Sequence, residues 1–391
     1  MTADAKRHAW RAIVLFGVVS LFADITYEGA RSISGPFLES LGASAAVVGF
    51  AAGAGELIAY GLRLLSGMWA DRSRRYWALT FAGYAINLLA VPLLALAGAW
   101  PVAVGLLLVE RFGKALRNPS RDAIMAGAAL TVGTGRGFAL HEALDQIGAV
   151  TGPLVVTAAL AWGAGSGDGY RVGFAILLIP ALLALSTLSW ARVETSGLAP
   201  SSKVPHDATH EPLPRAYWFY LVGAALLGAG LADFPLVAFR LADQRVAPET
   251  AIPLLYAAAM AADAVSALAF GWLFDRFGFG VLALAALLAV PATALAFLGA
   301  LPAVAGGVLL WGAALGAHES VVRAGVAQLA PAGRRGTAFG LFYAAYGGGW
   351  FVGSALMGLA YERSPLLLVA LSAAFSLAAL VPILLLGRRR R

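Results

Sequence analysis

Asp24, Glu28 and Arg31 stand four and three residues apart in the stretch SLFADITYEGARS, which continues an apolar run beginning at Ala12. That spacing puts all three on one helix face. An ion facing lipid costs at least ~2.5 kcal/mol, so this face must turn toward protein or a water-filled cavity. A second charged face answers it, because Glu110, Lys114, Arg117 and Arg121 are again three or four apart. His141 and Asp145 share a face beside Glu142 and Gln146, and Glu319 and Arg323 are four apart next to His318. Tyr343, Tyr346 and Trp350 form a third kind of face, suited to stacking on an apolar or cationic ligand.

The chemistry open to these groups is the binding and release of protons. A carboxylate in an apolar, closing cavity holds a proton more tightly, and a cation moving nearby loosens it again. Asp24 and Glu28 are the first candidates for proton-responsive acids and Asp233 and Glu319 the next, with His141 and His318 as relays. Lys114, Arg117 and Arg240 are candidates for holding an anionic substrate group or for resetting an acid. Tyr27, Arg31, Glu56, Glu142, Asp145, Asp263, Arg323, Tyr343, Tyr346 and Trp350 complete the candidate cavity set. Internal ion pairs that hold helices in register account for about half of the charges, and Arg63, Arg111, Arg121 and Asp122 are the first assigned to that role. Paired burial is rarely more stable than an apolar core, so function is the better reason to keep the others.

The elements that carry these groups are transmembrane helices. Of 391 residues, 60% are hydrophobic and 13% charged, far from ordinary soluble usage. Apolar runs of roughly 20 residues or more recur along the chain, each enough for about 30 Å of hydrocarbon. Strict alternation is absent, which excludes barrel strands. The predicted spans are 10–34, 43–70, 77–98, 101–130, 137–163, 171–192, 216–241, 248–274, 279–300, 303–330, 336–361 and 365–387. The first is expected to be an uncleaved span rather than a signal peptide, since no small-x-small cleavage site comes after it. Residues 194–215, rich in Ser, Pro and His, read as a linker between two bundles, 1–193 and 216–391.

Lysine and arginine distribution sets the orientation. With both termini cytoplasmic, inside segments hold 17 basic residues and outside loops 3. Eight remain inside the spans: Arg31, Arg63, Arg111, Lys114, Arg117, Arg121, Arg240 and Arg323. Counted at ~1.5 Å per residue, Asp24 lies roughly 21 Å along the first span, and Lys114 and Arg117 roughly 20 to 24 Å from the far end of the fourth. The acidic and basic faces are therefore expected to meet near mid-membrane.

The two bundles repeat each other. FADITYEGAR (22–31) aligns with LADFPLVAFR (231–240), Glu56 with Asp263, GMWADR (67–72) with GWLFDR (271–276), and Arg121 with Arg323. The offset shrinks steadily from 209 to 199 along the chain, which small loop deletions explain. Two six-helix repeats of like orientation predict a binding site at their interface, near the midplane.

This organisation, with a Gly-x-x-x-Asp-Arg loop after the second span of each half, resembles the major facilitator superfamily over nearly the whole chain. In that family the loop runs Gly-x-Leu-x-Asp-Arg-x-Gly-Arg-Arg. Here it is Gly67-Met-Trp69-Ala-Asp71-Arg72-Ser-Arg74-Arg75, with Trp69 for the leucine and Arg74 for the second glycine. The second copy, Gly271 to Gly278 with Asp275 and Arg276, keeps that glycine and lacks the trailing basic pair. The resemblance implies an all-α fold of twelve transmembrane helices in two six-helix bundles, with Asp71 latching one conformational state. GAVTGP, with Gly148, Gly152 and Pro153, resembles the helix-5 signature of the drug/proton antiporter branch, although Leu154, Val155 and Val156 replace the small residues usual at the next positions.

Charged inner faces on a duplicated helical bundle lead to the expectation of a proton-coupled secondary transporter of a small molecule, working by alternating access. Its leading form is an exporter of a small amphipathic compound by proton antiport. Uptake of an anion by symport is the alternative favoured by Lys114 and Arg117. Export of a metal or chelate through Asp24, Glu28, His141, Asp145, His318 and Glu319 is a third form. Enzyme chemistry is disfavoured: HEALD (141–145) lacks the second histidine of a zinc protease, and neither a Gly-x-Ser-x-Gly nor a cysteine exists. No phosphate-binding loop is present, so the proton gradient is the expected energy source and no cofactor is called for. The formal charge of +7 arises from topology and needs no nucleic acid partner. A monomer in the bacterial inner membrane is the expected setting.

Overall fold

The computed structural model describes residues 3–132, 134–163, 168–194, 212–331 and 334–388, all of whose regular structure is helical. In chain order the helices are α1 (Ala3–Ser40), α2 (Ala45–Ser73), α3 (Tyr76–Leu93), α4 (Trp100–Val132), α5 (Thr134–Gly163), α6 (Gly169–Ile176) and α7 (Leu178–Glu194). They continue with α8 (Arg215–Gly230), α9 (Phe234–Asp243), α10 (Ala251–Phe277), α11 (Val281–Leu298), α12 (Leu301–Ala317), α13 (Arg323–Leu329), α14 (Arg335–Arg363) and α15 (Pro365–Arg388). Each expected span falls on helix, and nine helices among the described residues are long and apolar enough to cross a membrane. Most of the expected linker lies outside the described residues.

By contact the chain divides into two units. Unit 1 is Met1–Ile33 with Leu62–Val204, and unit 2 is Ser34–Gly61 with Pro205–Arg391. The end of α1 and the first half of α2 thus pack with the second half of the sequence, a grouping by contact rather than by repeat. In unit 2 the first half of α2 lies against α14, where Gly49 and Gly53 meet the main chain at Ser354, Gly358 and Phe351. Small residues let backbones approach this closely in a medium that offers no hydrophobic force between helices.

Three expected spans are interrupted. The seventh splits between α8 and α9 at Leu231–Asp233, just before Pro235, which lacks a donor and disfavours helix in the residue ahead of it. Side chains take up the freed carbonyls: Trp311 Nε1 donates to Ala232 O at 2.6 Å and Ser372 Oγ to Gly230 O at 2.6 Å. The tenth carries a π turn at His318–Val322 between α12 and α13, with Tyr220 donating its hydroxyl to Val322 O and Ser320 Oγ to Gly316 O at 2.8 Å. Such turns gather at functional sites. The sixth breaks at Leu177 between α6 and α7. The fourth, by contrast, runs on through Pro119 as the single helix α4.

Trp311→Phe replaces the buried indole by a smaller ring and leaves the buried Ala232 carbonyl without its donor. The expected cost is about 1–3 kcal/mol, measured as a lower unfolding temperature in detergent, while Trp218→Phe on the exposed side of α8 is expected to be silent.

Candidate functional site

Unit 1 gathers the charged faces of α1, α4 and α5. The approach of α1 to α5 is set by Gly148 and Gly152, which touch the α1 backbone at Leu21, Ile25 and Gly29 and leave no room for a side chain. One turn before Gly148, Asp145 is thereby brought against Asp24. Asp24 lies within electrostatic reach of Asp145 and Tyr27, its Oδ1 is buried without a hydrogen-bond partner, and Ser20 Oγ donates to Asp145 Oδ1. Asp24 is 2% exposed.

Helix α4 supplies the cations. Lys114 Nζ stands 3.8 Å from the centre of the Tyr27 ring, with Asp24, Glu28 and Glu110 within electrostatic reach. Arg117 is 1% exposed, and its Cζ lies 4.2 Å from the Tyr84 ring centre and 5.7 Å from that of Tyr27. Its Nε and Nη1 are buried with no hydrogen-bond partner. The meeting of acidic and basic faces expected from helix rise is what the structure has.

Other charges are held in local pairs. Glu110 accepts 2.6 Å from Asn87 Nδ2 and pairs with Arg111 at 3.1 Å, and Arg121 pairs with Asp122 at 2.8 Å. Both ion pairs join neighbouring residues within α4, unlike the interhelical pairing expected of Arg111, Arg121 and Asp122, and it is the Asn87–Glu110 hydrogen bond that links α3 to α4. His141 is buried one turn before Asp145, Arg31 is half-buried, and Glu142 is exposed.

Unit 2 has a different character. Asp233 stands at the break ahead of α9, accepting hydrogen bonds from Trp350 Nε1 at 3.0 Å and from Ser354 Oγ. His318 Nδ1 lies 3.2 Å from the Tyr346 hydroxyl, while its Nε2 has no hydrogen-bond partner. Tyr343, Tyr346 and Trp350 on α14 are joined by Tyr60 from α2, which stacks on Tyr343 at 5.8 Å. Glu56 and Glu319 come within electrostatic reach of Tyr346, and Asp263 is buried beside the main chain of Gly316. Arg240 does not join these acids: its Nη2 donates to Gly299 O at 3.0 Å, its Nη1 to Ala296 O and its Nε to Gln244 Oε1. It ties α9 to the end of α11, as Arg171 ties α6 to the carbonyls of Ala95 and Ala97 in unit 1. The side chain of Arg323 lies outside the described residues.

The loop after α2 is exposed at Asp71, Arg72 and Arg75, and Asp71 accepts a 2.9 Å hydrogen bond from Tyr76. A Cβ at Gly67 would come 3.5 Å from Pro119 Cβ of α4. Arg74 has φ 56°, and Gly278 in the second copy has φ 65°. The glycine of the family pattern therefore serves a left-handed backbone, which Arg74 adopts at some strain. Asp275 and Arg276 are exposed, with Arg276 over the Trp272 ring at 5.6 Å. Sequence reasoning missed Ser20, Tyr60, Tyr84 and Ser354. Each is a polar or aromatic residue in an apolar helix, and Ser20, Tyr60 and Ser354 stand four residues from Asp24, Glu56 and Trp350, a spacing that a hydroxyl or ring shares with ordinary packing residues.

Helices of this order, with charges collected inside each unit, define a multi-pass membrane protein of the major facilitator transporter fold. The structure is similar to that of the peptide transporter POT in complex with sulfate, at TM-score 0.77 and 17% identity over 98% of this chain and 97% of that one. It is similar also to the nucleoside transporter NupG, at TM-score 0.72 and 13% identity over 96% and 98%. In sequence, the chain is 43% identical over 388 residues to the uncharacterized protein Rv2265 of Mycobacterium tuberculosis, covering 95% of this chain and 92% of that one, and it belongs to the same family. A stretch of 149 residues is 29% identical to the MFS-type transporter MJ1317 of Methanocaldococcus jannaschii, spanning 38% of this chain and 37% of that one. No family model matches the chain.

Proposed function

We propose that this protein is a proton-coupled secondary transporter that exports a small amphipathic compound by antiport, through alternating access. The observation that carries the reading is the juxtaposition of buried Asp24 on α1 with half-buried Asp145 on α5. Two carboxyls set side by side make a site that can take up and give up a proton, because like charges there repel. Lys114, on the neighbouring helix, is the cation whose movement would release that proton. Glu28 and, in unit 2, Asp233 and Glu319 are secondary acids in this reading, and His141 and His318 are relays. The protein works as a monomer in the bacterial inner membrane, both termini cytoplasmic, with the proton gradient and no cofactor.

Anion symport is favoured by one specific observation, the buried Nε and Nη1 of Arg117 without hydrogen-bond partners. Metal export has no trio of metal-ligating side chains to rest on among the described residues.

The test is pH-dye quenching in proteoliposomes under an imposed proton gradient, with lipophilic cations, organic acids and metal ions added in turn. Substrate-dependent proton efflux or influx is the expected result, and its sign relative to substrate movement separates antiport from symport. Absence of flux with a compound that demonstrably binds would overturn proton coupling.

A further inference from the structure

We infer that the substrate is an organic monoanion whose carboxylate is held between α3 and α4 by the Arg117 guanidinium and the hydroxyls of Tyr84 and Ser120. The inference rests on the transport reading and names the charge of the compound it moves. Arg117 is 1% exposed and Tyr84 and Ser120 are 0% exposed, yet Arg117 Nε and Nη1, the Tyr84 hydroxyl and Ser120 Oγ all lack a hydrogen-bond partner. Buried polar groups are nearly always paired, so orphans gathered on one helix turn and its neighbour need a reason. Ser120 comes three residues after Arg117 and shares its face of α4. Tyr84 is carried by α3, which meets α4 main chain to main chain: a Cβ at Gly83 would come 2.6 Å from Arg117 N, and one at Gly113 2.4 Å from Asn87 N. Pro119 leaves the Ala115 carbonyl without its helical donor, and Ser66 Oγ of α2 supplies one at 2.7 Å. The turn that carries Arg117 and Ser120 is therefore fixed by α3 and by α2.

A buried charge without a partner costs more than a neutral orphan, and the acids beside it on α4 are already engaged. Glu110 accepts from Asn87 and pairs with Arg111, and Asp122 pairs with Arg121. Lys114 has Asp24, Glu28 and Glu110 within electrostatic reach and the Tyr27 ring beneath it. The Tyr84 ring covers one face of the Arg117 guanidinium, its centre 4.2 Å from Cζ, so a ligand comes in at an edge. Each edge that a carboxylate can grip, Nε with Nη2 or Nη1 with Nη2, includes one of the unpartnered nitrogens. A single uncompensated positive charge is matched by a single negative one, which selects a carboxylate over a doubly charged phosphate. The two hydroxyls donate to the lone pairs that the guanidinium leaves over.

The test is equilibrium binding of benzoate, benzamide and benzamidinium, compounds of nearly one shape with negative, zero and positive charge, to the full chain in detergent without any gradient. Phenylphosphonate is the doubly charged comparison. Saturable binding of benzoate above the other three is expected. Arg117→Met is expected to weaken it about a hundredfold and Tyr84→Phe, which keeps the ring on the guanidinium, about tenfold, while Arg111→Gln leaves it unchanged. Without ligand, Arg117→Met is expected to raise the unfolding temperature, because it removes an unpaired buried charge and keeps an unbranched side chain. An arginine that only holds helices together would give a fall instead, and that fall would overturn the inference. So would preference for any of the other three compounds, or benzoate binding unchanged in both Arg117→Met and Tyr84→Phe. Failure of a monodisperse wild type to bind benzoate while it still couples protons to an uncharged or cationic compound would overturn the site and leave the transport reading standing. Arg117-dependent benzoate binding with no proton flux under any gradient would do the reverse.

Discussion

Asp24→Asn is expected to reduce substrate-driven proton flux in proteoliposomes by about a hundredfold, equivalent to about 2.7 kcal/mol of lost coupling, while the protein remains folded and inserted. Asparagine is close to aspartate in volume and keeps a polar group beside Tyr27 and Asp145. The contact at Gly148, whose position abuts the Asp24 Cβ, is therefore preserved. What disappears is one of two adjacent acids. Asp145→Asn is expected to have a similar effect, because either substitution leaves a single acid. Ser20→Ala, which removes only the hydroxyl donated to Asp145, is expected to shift the pH dependence of flux rather than abolish it. The measurement is dye quenching at several external pH values, with substrate binding assayed in parallel. Normal coupling in Asp24→Asn with intact binding would remove the α1–α5 pair from the mechanism and return these acids to a structural role.

Gly353→Val is expected to destabilise the protein by about 3 kcal/mol, at or beyond the top of the range expected for Trp311→Phe. A Cβ at Gly353 would fall against the main chain of Ala229, 2.5 Å from its Cα, where no flexible side chain is available to give way. The branched valine must push α14 away from α8, and the aromatic cluster and the Asp233 contacts ride on α14. Loss of monodisperse protein, or a steep fall in unfolding temperature, is the expected readout. Gly271→Ala provides the contrast, since nothing lies within 4 Å of its Cβ position. In mid-helix that change is expected to be neutral or stabilising by up to ~1 kcal/mol. Equal behaviour of the two variants would mean that α14 is not held where the structure puts it.

The helical spans were legible in the sequence because their signal is strong: long apolar runs and a repeat traced by charged residues. The cluster in unit 1 was legible for a related reason. Charges three and four apart in apolar helices have one physical explanation, a face turned inward, and helix rise alone put Asp24 and Lys114 at matching depths. The partner of Asp24 was harder to see, because Asp145 owes its position to the contact of Gly148 with Leu21, and glycine carries no mark of what it touches. Arg240 matched Arg31 in the repeat, yet its guanidinium ends on carbonyls at the end of α11. A cation in a span reads alike whether it serves a substrate or a helix terminus. The break before Pro235 was written in the proline itself, whereas the π turn at His318 has no compositional signature. The membership of Tyr60 in the aromatic cluster depends on contact between α2 and α14, which lie far apart in the chain.

That contact has a further property. Where Gly49 and Gly53 meet α14, the two surfaces are largely bare backbone, and a methyl group at Gly53 would come 2.9 Å from Phe351 Cα. Interlocked side chains give a helix pair teeth: sliding one past the other means lifting each side chain over its neighbour and freezing rotamers again on the far side. A glycine seam has no teeth. Its cohesion comes from dispersion and from weak Cα–H to carbonyl contacts that are individually small and oriented across the seam. The register of the first half of α2 against α14 is therefore left to a few side chains, Tyr60 toward one end, Phe50 edge-on to Phe351 between the glycines, and the hydrogen bond from Ala46 N to Glu362 at the other end.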